Sequence, residues 1–486
     1  MSEKFKSSIE LEVARYHPTQ RLSLYSYKPV DPHGVKGYIP NPLPADLPPG
    51  WVRGFDPTNM PPTPDVILEI VRPLSAGPKK RAQITVCKTL QHHRNHDSSV
   101  HGPRKGGIWP ELIVCKSFDA VFFPTFPGCG ADKMAEKDLS RENGAYRHLY
   151  AKNFTGFPHI TPEFYGSYVA VFDLGLDEQK QRVYRCASVI LMEYVDGLSV
   201  ESLCRRHPET EDLIPRNTNH VFHQNTNGQR ISLSLHKETR QEILRQLIEE
   251  GIHWLHQGME FGYVDPDQAL ITMRHGQYDL VQPRLVILDY TNTHVWCMTK
   301  TGKTNPRHRF TECQKLPNPM HPSELFNVEW FDHWLGWWPS SSCYKTQSED
   351  EEMEVEYARD SNGDLVRDED GRFLLRNEVE FEVWMLKVWG PRKEGRYSVG
   401  ETLDQILSDQ EKKDMETFLA TEPEAAAEAD ALILALGLRK PKSGVGAENK
   451  TRAEVDETGQ AAPETPGVDR PGESDSDEDG QKREQA

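Results

Sequence analysis

The chain has 486 residues, 57 Lys and Arg against 75 Asp and Glu for a formal net charge of −18, with 36% hydrophobic residues and a mean hydropathy of −0.68. A composition this polar predicts that part of the chain is disordered, and no Lys/Arg-dense stripe is present to neutralise a nucleic-acid backbone. No apolar run approaches the roughly 20 residues of a membrane span, and the opening MSEKFKSSIELEVARYH lacks the apolar core of a signal peptide.

The charge is unevenly placed. Residues 1–348 carry 39 basic and 38 acidic groups, whereas residues 349–486 carry 18 and 37. Eight Cys (87, 115, 129, 186, 204, 297, 313 and 343) include no C-x-x-C pair, so neither a zinc site nor a disulfide framework is expected. The expectation is a reduced, intracellular protein of the cytoplasm or nucleus, acting on neither membrane nor nucleic acid.

In chain order, residues 1–64 are dense in Pro and turn formers, which predicts an extended lead-in without helix or central strand. Strand-like runs follow at 65–73, 81–90 and 111–123. The polar, Gly-rich stretch between the last two, with His92, His93 and His96, reads as a solvated loop. A partly apolar stripe predicts a helix at about 133–150, then strands at 164–173 and 182–194. Residues 205–235 are polar, with Asn and Thr clusters, and read as an insertion. Ile243, Leu244, Leu247, Ile248, Ile252 and Leu255 recur at helical spacing and predict a helix over 236–256 with one buried face. Short strands are expected at 269–272 and 284–288.

Trp330, Trp334, Trp337 and Trp338 are expected to close a helical lobe, since Trp buries a large area. Residues 348–440 read as an acidic linker with a polar hairpin, a short apolar element (FEVWMLKVWG) and an Ala/Glu-rich helical stretch. Residues 441–486 contain no Phe, Trp, Tyr, Ile or Leu and are expected to be disordered. The whole is an α+β arrangement of a small antiparallel sheet lobe and a larger helical lobe, with an acidic C-terminal extension.

Four segments could carry chemistry. Lys116 ends the strand Ile113-Val114-Cys115-Lys116, and Glu142 lies on the helix that follows. Next comes Leu191-Met192-Glu193-Tyr194-Val195-Asp196-Gly197. Last is a pair, Phe261-Gly262-Tyr263-Val264-Asp265-Pro266-Asp267-Gln268 and then Leu288-Asp289-Tyr290-Thr291, separated by a hairpin. Each alone has an ordinary structural reading; Val-Asp-Pro-Asp is a natural turn and Asp289 could cap one.

Together, in this order, the segments resemble the protein-kinase-like fold, and within it a fungal group of divergent members, over roughly residues 65–340. The resemblance makes 65–197 an N-lobe and 198–347 a C-lobe. It implies that Lys116 pairs with Glu142 and contacts nucleotide phosphates, and that the backbone at Glu193 and Val195 meets an adenine. It also implies that Asp289 and Gln268 hold Mg²⁺.

The departures are as informative. Tyr263 stands where the family has its catalytic Asp and Phe261 where it has a His; a phenol with a pKa near 10 cannot do a carboxylate's work at neutral pH. The glycine-rich loop is reduced to RPLSAGPKKR, with one Gly, and no activation segment follows Asp289. The leading reading is a pseudokinase that binds ATP and Mg²⁺ weakly and acts through contacts with a protein partner. A second is an atypical phosphotransferase using Asp265 as base after a two-residue shift in register. A third is an interaction scaffold without nucleotide.

Overall fold

The computed structural model describes residues 3–34, 37–45, 47–48, 50–92, 108–126, 129–208, 210–216, 220–224, 230–304, 313–338, 344–345, 354–355, 365–367, 376–392 and 395–399. The expected hairpin at about 359–375, the Ala/Glu-rich stretch and the tail from 441 lie wholly or mostly outside these residues, as do His93, His96 and Cys343.

Six antiparallel strands close into a barrel: β1 (Arg21–Ser26), β2 (Val66–Ser75), β3 (Gln83–His92), β4 (Leu112–Phe118), β5 (Phe164–Leu176) and β6 (Arg182–Glu193), in the order β1-β2-β3-β4-β6-β5. Five of them match the strands expected from apolar runs. The sixth, β1, lies in the supposed extended lead-in, and α1 (Glu3–Ala14) precedes it. The Pro-dense stretch begins only after Ser26, and Arg21-Leu22-Ser23-Leu24 has a strand's alternation, with Leu22 and Leu24 buried inside the barrel. β1 pairs with β2 on one side and β5 on the other, and so removes both edges of what would be an open sheet.

Period-two alternation sorts β4. Ile113 and Cys115 point into the barrel among Leu24, Leu68 and Leu191, while Val114 and Phe118 belong to the core outside it. Lys116, two residues on from Val114, therefore faces outward towards α2 (Ala131–Ala151), the helix expected at 133–150. Leu139, Ala145, Tyr146 and Leu149 of α2 are buried in that same outer core.

After β6 the chain crosses to the second half through Gly197. A Cβ there would sit 2.7 Å from the Ile271 carbonyl oxygen, so only Gly allows this close passage. β7 (Leu198–Ser199) then pairs with a later hairpin. The polar stretch read as an insertion forms two small hairpins, β8 (Cys204–Arg206) with β9 (Leu213–Pro215) and β10 (His220–Gln224) with β11 (Arg230–Leu233). Next come α3 (Lys237–His256), whose buried face is the one expected, and β12 (Met259–Glu260). The hairpin β13 (Ala269–His275) and β14 (Tyr278–Ile287) is longer than expected, and β15 (His294–Val295) and α4 (Lys300–Thr304) close the segment.

A further helix, α5 (Arg376–Trp389), lies beyond the limit of 347 set for the second lobe, yet buries Phe381, Trp384, Met385 and Trp389 in the same core as Phe331 and Trp338. The apolar element FEVWMLKVWG is thus part of the fold rather than of an appended linker. The Trp run does close this half: Trp334, Trp337 and Trp338 are buried, and Trp334 Nε1 donates to the Val264 carbonyl at 2.7 Å. Among the described residues no helix is long and apolar enough to cross a membrane.

Candidate functional site

Lys116 projects from β4 into the space between barrel and α2. Its Nζ lies 2.8 Å from Glu142 Oε1 and 2.7 Å from Oε2, and 3.9 Å from Asp289 Oδ2. Three residues far apart in the chain thus converge. Glu142 is fully buried and Lys116 nearly so, while Asp289, just after β14, keeps about a quarter of its side chain exposed. Burial opposes charge on Lys116, but Asp289 and Glu142 more than compensate and raise its pKa. Burial pushes the Glu142 carboxyl up against the pull of Lys116. For Asp289, burial is outweighed by Lys116 and by the N–H and hydroxyl of Thr291, which hold the carboxylate below its usual range. Both Thr291 groups donate to Asp289 Oδ1, at 2.9 and 2.8 Å. The capping geometry expected of Asp289 is therefore present, and it leaves Oδ2 turned to Lys116.

An aromatic column holds this arrangement across the two halves. Phe164 of β5 stacks on Tyr146 of α2 at 5.4 Å, Tyr146 meets Tyr290 at 5.0 Å, and Tyr290 meets Phe261 edge-on at 5.4 Å. All four rings are buried. Tyr146 lies one helical turn after Glu142 and Tyr290 one residue after Asp289, so packing of the column fixes both carboxylates. The sequence singled out Phe261 only as a replacement for a His and did not bring the four rings together; the local signal was an aromatic at each of these two offsets.

Sequence reading also missed the neighbours Asp138, Arg141 and Arg81. Asp138 stands four residues before Glu142, hence on the same helix face. It takes Arg141 at 2.6 Å and Arg81 at 2.5 Å. Arg81 comes from the β2–β3 turn, the reduced glycine loop. That turn is folded onto the buried Gln83, whose amide oxygen accepts from Gly77 N–H (2.7 Å) and whose Nε2 donates to the Gly77 and Lys80 carbonyls (3.2 and 2.8 Å).

The segment 261–268 is anchored at Val264 by Trp334 and at Gln268, whose carbonyl accepts from Leu288 N–H at 3.0 Å. Phe261 is buried in the column, whereas Tyr263 is 48% exposed with its ring against His333. Asp265 is half-buried in a turn closed by Gln268 N–H donating to its carbonyl at 3.0 Å, the turn geometry expected of Val-Asp-Pro-Asp. Burial, then Asp265, then Glu201 raise the pKa of the neighbouring Asp267, and Asp289 adds to this.

At the crossing between halves, the Glu193 N–H is taken by the Glu163 carbonyl at 2.8 Å, and Tyr194 OH accepts from Arg72 at 2.9 Å. The Glu193 side chain is a lock between halves. Arg284 reaches both its oxygens (2.8 and 3.2 Å) and His275 Nδ1 lies 3.3 Å from Oε1. Val195 is half-buried in the same crossing.

Among the described residues, no group of three or more His, Cys, Asp or Glu is arranged as a metal-ligand set. A lone ionised carboxylate such as Asp289 nonetheless suits a cation that keeps most of its ligands as waters and phosphates.

No family model and no curated protein matches the sequence. Among solved structures the chain is similar to the PknI kinase domain of Mycobacterium tuberculosis, at 16% identity and a TM-score of 0.24 over 46% of this chain and 60% of that one. It is also similar to the PK-1 kinase of Cydia pomonella granulovirus, at 12% identity and a TM-score of 0.23 over 47% of this chain and 55% of that one. The chain thus spans less than two thirds of the length of these structures.

Proposed function

We propose that this chain is a protein-kinase-like protein of pseudokinase type, which binds Mg²⁺·ATP weakly between barrel and second half and acts through a protein partner. The observation that carries the reading is the convergence of Lys116, Glu142 and Asp289 beside a loop with Tyr263 where a catalytic carboxylate would stand. Lys116, fixed by Glu142, would neutralise phosphate charge, and Asp289 with the Gln268 amide would hold Mg²⁺. The metal would supply charge neutralisation between phosphates. With the Gly77 N–H taken by Gln83 Oε1 and the Lys80 N–H by the Gly77 carbonyl, two amides of the β2–β3 turn are already engaged, so the grip would fall mainly to Lys116 and the affinity would be low. The adenine would meet the backbone of Glu193 and Val195.

Thermal unfolding with and without Mg²⁺·ATP tests this. A ligand at a hundredfold excess over its Kd stabilises the folded chain by about 2.7 kcal/mol. The expected result is a rise in Tm that Lys116→Met removes; no rise at millimolar Mg²⁺·ATP overturns the reading. Turnover of ATP that Asp265→Asn abolishes and Tyr263→Phe spares would instead establish an enzyme using Asp265.

A further inference from the structure

Between β1 and β2 the chain forms a strap that touches both carriers of the site's carboxylates. On the α2 side, Pro32 packs against Gly144, two residues after Glu142; a Cβ at Gly144 would stand 2.3 Å from Pro32 Cγ, and Met298 Sδ lies 3.5 Å from the same point. His33 Nε2 and Arg53 Nη2 both reach Glu136 Oε1, at 2.9 and 2.6 Å. Strap, α2 and the segment after Asp289 therefore meet at Gly144.

On the other side the strap grips that segment directly. The buried Tyr38 hydroxyl donates to the Thr293 carbonyl at 3.0 Å and accepts from Val295 N–H at 2.9 Å, while its ring stacks on His294 at 5.6 Å. The Gly37 carbonyl accepts from Lys300 N–H at 2.7 Å, and Asp31 takes Lys303 at 2.8 Å. Thr293 N–H in turn donates to the Tyr290 carbonyl at 3.2 Å, so only a short run of bonded backbone separates Tyr38 from Asp289.

We propose that the strap positions the nucleotide site from within the chain: Tyr38 holds the segment that carries Asp289, and Pro32 holds the helix that carries Glu142. Tyr38 and Pro32 are positioning residues, since neither touches the triad. This inference rests on the Mg²⁺·ATP reading above.

The two contacts make different demands on binding. Loosening Asp289 weakens chiefly the gain in affinity that Mg²⁺ brings, because Glu142 still holds Lys116 at 2.7–2.8 Å, whereas displacing Glu142 frees Lys116 and weakens ATP with or without metal. Equilibrium titration of the full chain with ATP, with and without Mg²⁺, separates them. Tyr38→Phe removes one hydroxyl and two hydrogen bonds; it is expected to cut the Mg²⁺-dependent gain about tenfold and leave metal-free affinity unchanged. Gly144→Ala is expected to weaken both arms, and adding Pro32→Ala, which removes Cγ and Cδ, to restore them. Tyr38→Phe titrating like wild type in both arms, or Gly144→Ala left unrescued by Pro32→Ala, overturns the inference while the nucleotide reading stands. Wild type binding no ATP in either arm overturns that reading, and this inference with it.

Discussion

Phe261 meets Tyr290 edge-on, ring centroids 5.4 Å apart and planes at 88°, and this contact joins the loop 261–268 to the residue after Asp289. A His in place of Phe261 would bring a polar ring into a site packed by Trp254 and Tyr290. An apolar ring is what this packing accommodates.

Truncation of this ring removes a buried aromatic with contacts on two sides. Phe261→Ala is expected to destabilise by about 3–5 kcal/mol in urea unfolding. Tyr263→Phe, at a half-exposed position two residues away, is expected to stay within about 0.5 kcal/mol of wild type.

Lys116 faces two carboxylates in a buried setting. Lys116→Met leaves Glu142 fully buried without its cation and should cost about 3–5 kcal/mol by denaturant unfolding. Adding Glu142→Leu removes the stranded charge, and the double variant is expected to recover most of the loss. A double variant as unstable as the single one would show that the pair contributes packing rather than charge compensation.

Glu193 sets an acid limit on stability. Burial works against its carboxylate, but bonds from His275 and Arg284 and from the Glu163 N–H pull the pKa down to about 2. A carboxyl depressed on folding stabilises above its unfolded value near 4.5, and that contribution disappears as pH falls through the folded value. Unfolding measured from pH 7 to pH 2 should show wild type above Glu193→Gln at neutral pH and the two converging towards pH 2. A gap independent of pH would contradict the assignment.

Trp334 is the anchor of the loop from the Trp run. Trp334→Phe keeps the ring in the core but strands the Val264 carbonyl, and should cost about 1–3 kcal/mol in thermal unfolding.

Lys116 and Asp289 were legible because each ends an apolar run, and Glu142 because it lies on the helix between them, an order visible along one dimension. Lys116 faces α2 for the same alternation that buries Cys115. β1 was not read because Pro density was averaged over 64 residues, although Leu22 and Leu24 already alternate ahead of the Pro-dense stretch. α5 was missed as part of the core because the acidic block at 349–356 suggested a boundary, and charge on intervening chain says nothing about where the next apolar face packs. The aromatic column and the strap were beyond reach for another reason: Tyr38 with Val295 and Tyr146 with Tyr290 are far apart in the chain and meet only where the second half packs against the strap and α2.

The most direct measurement of the central claim is a calorimetric titration of ATP into the full chain with and without Mg²⁺, comparing wild type with Asp289→Asn. Saturable binding that Mg²⁺ strengthens in wild type and no longer strengthens in Asp289→Asn is the result expected. Equal Mg²⁺ enhancement in both proteins, or no heat of binding at millimolar ATP, would contradict it.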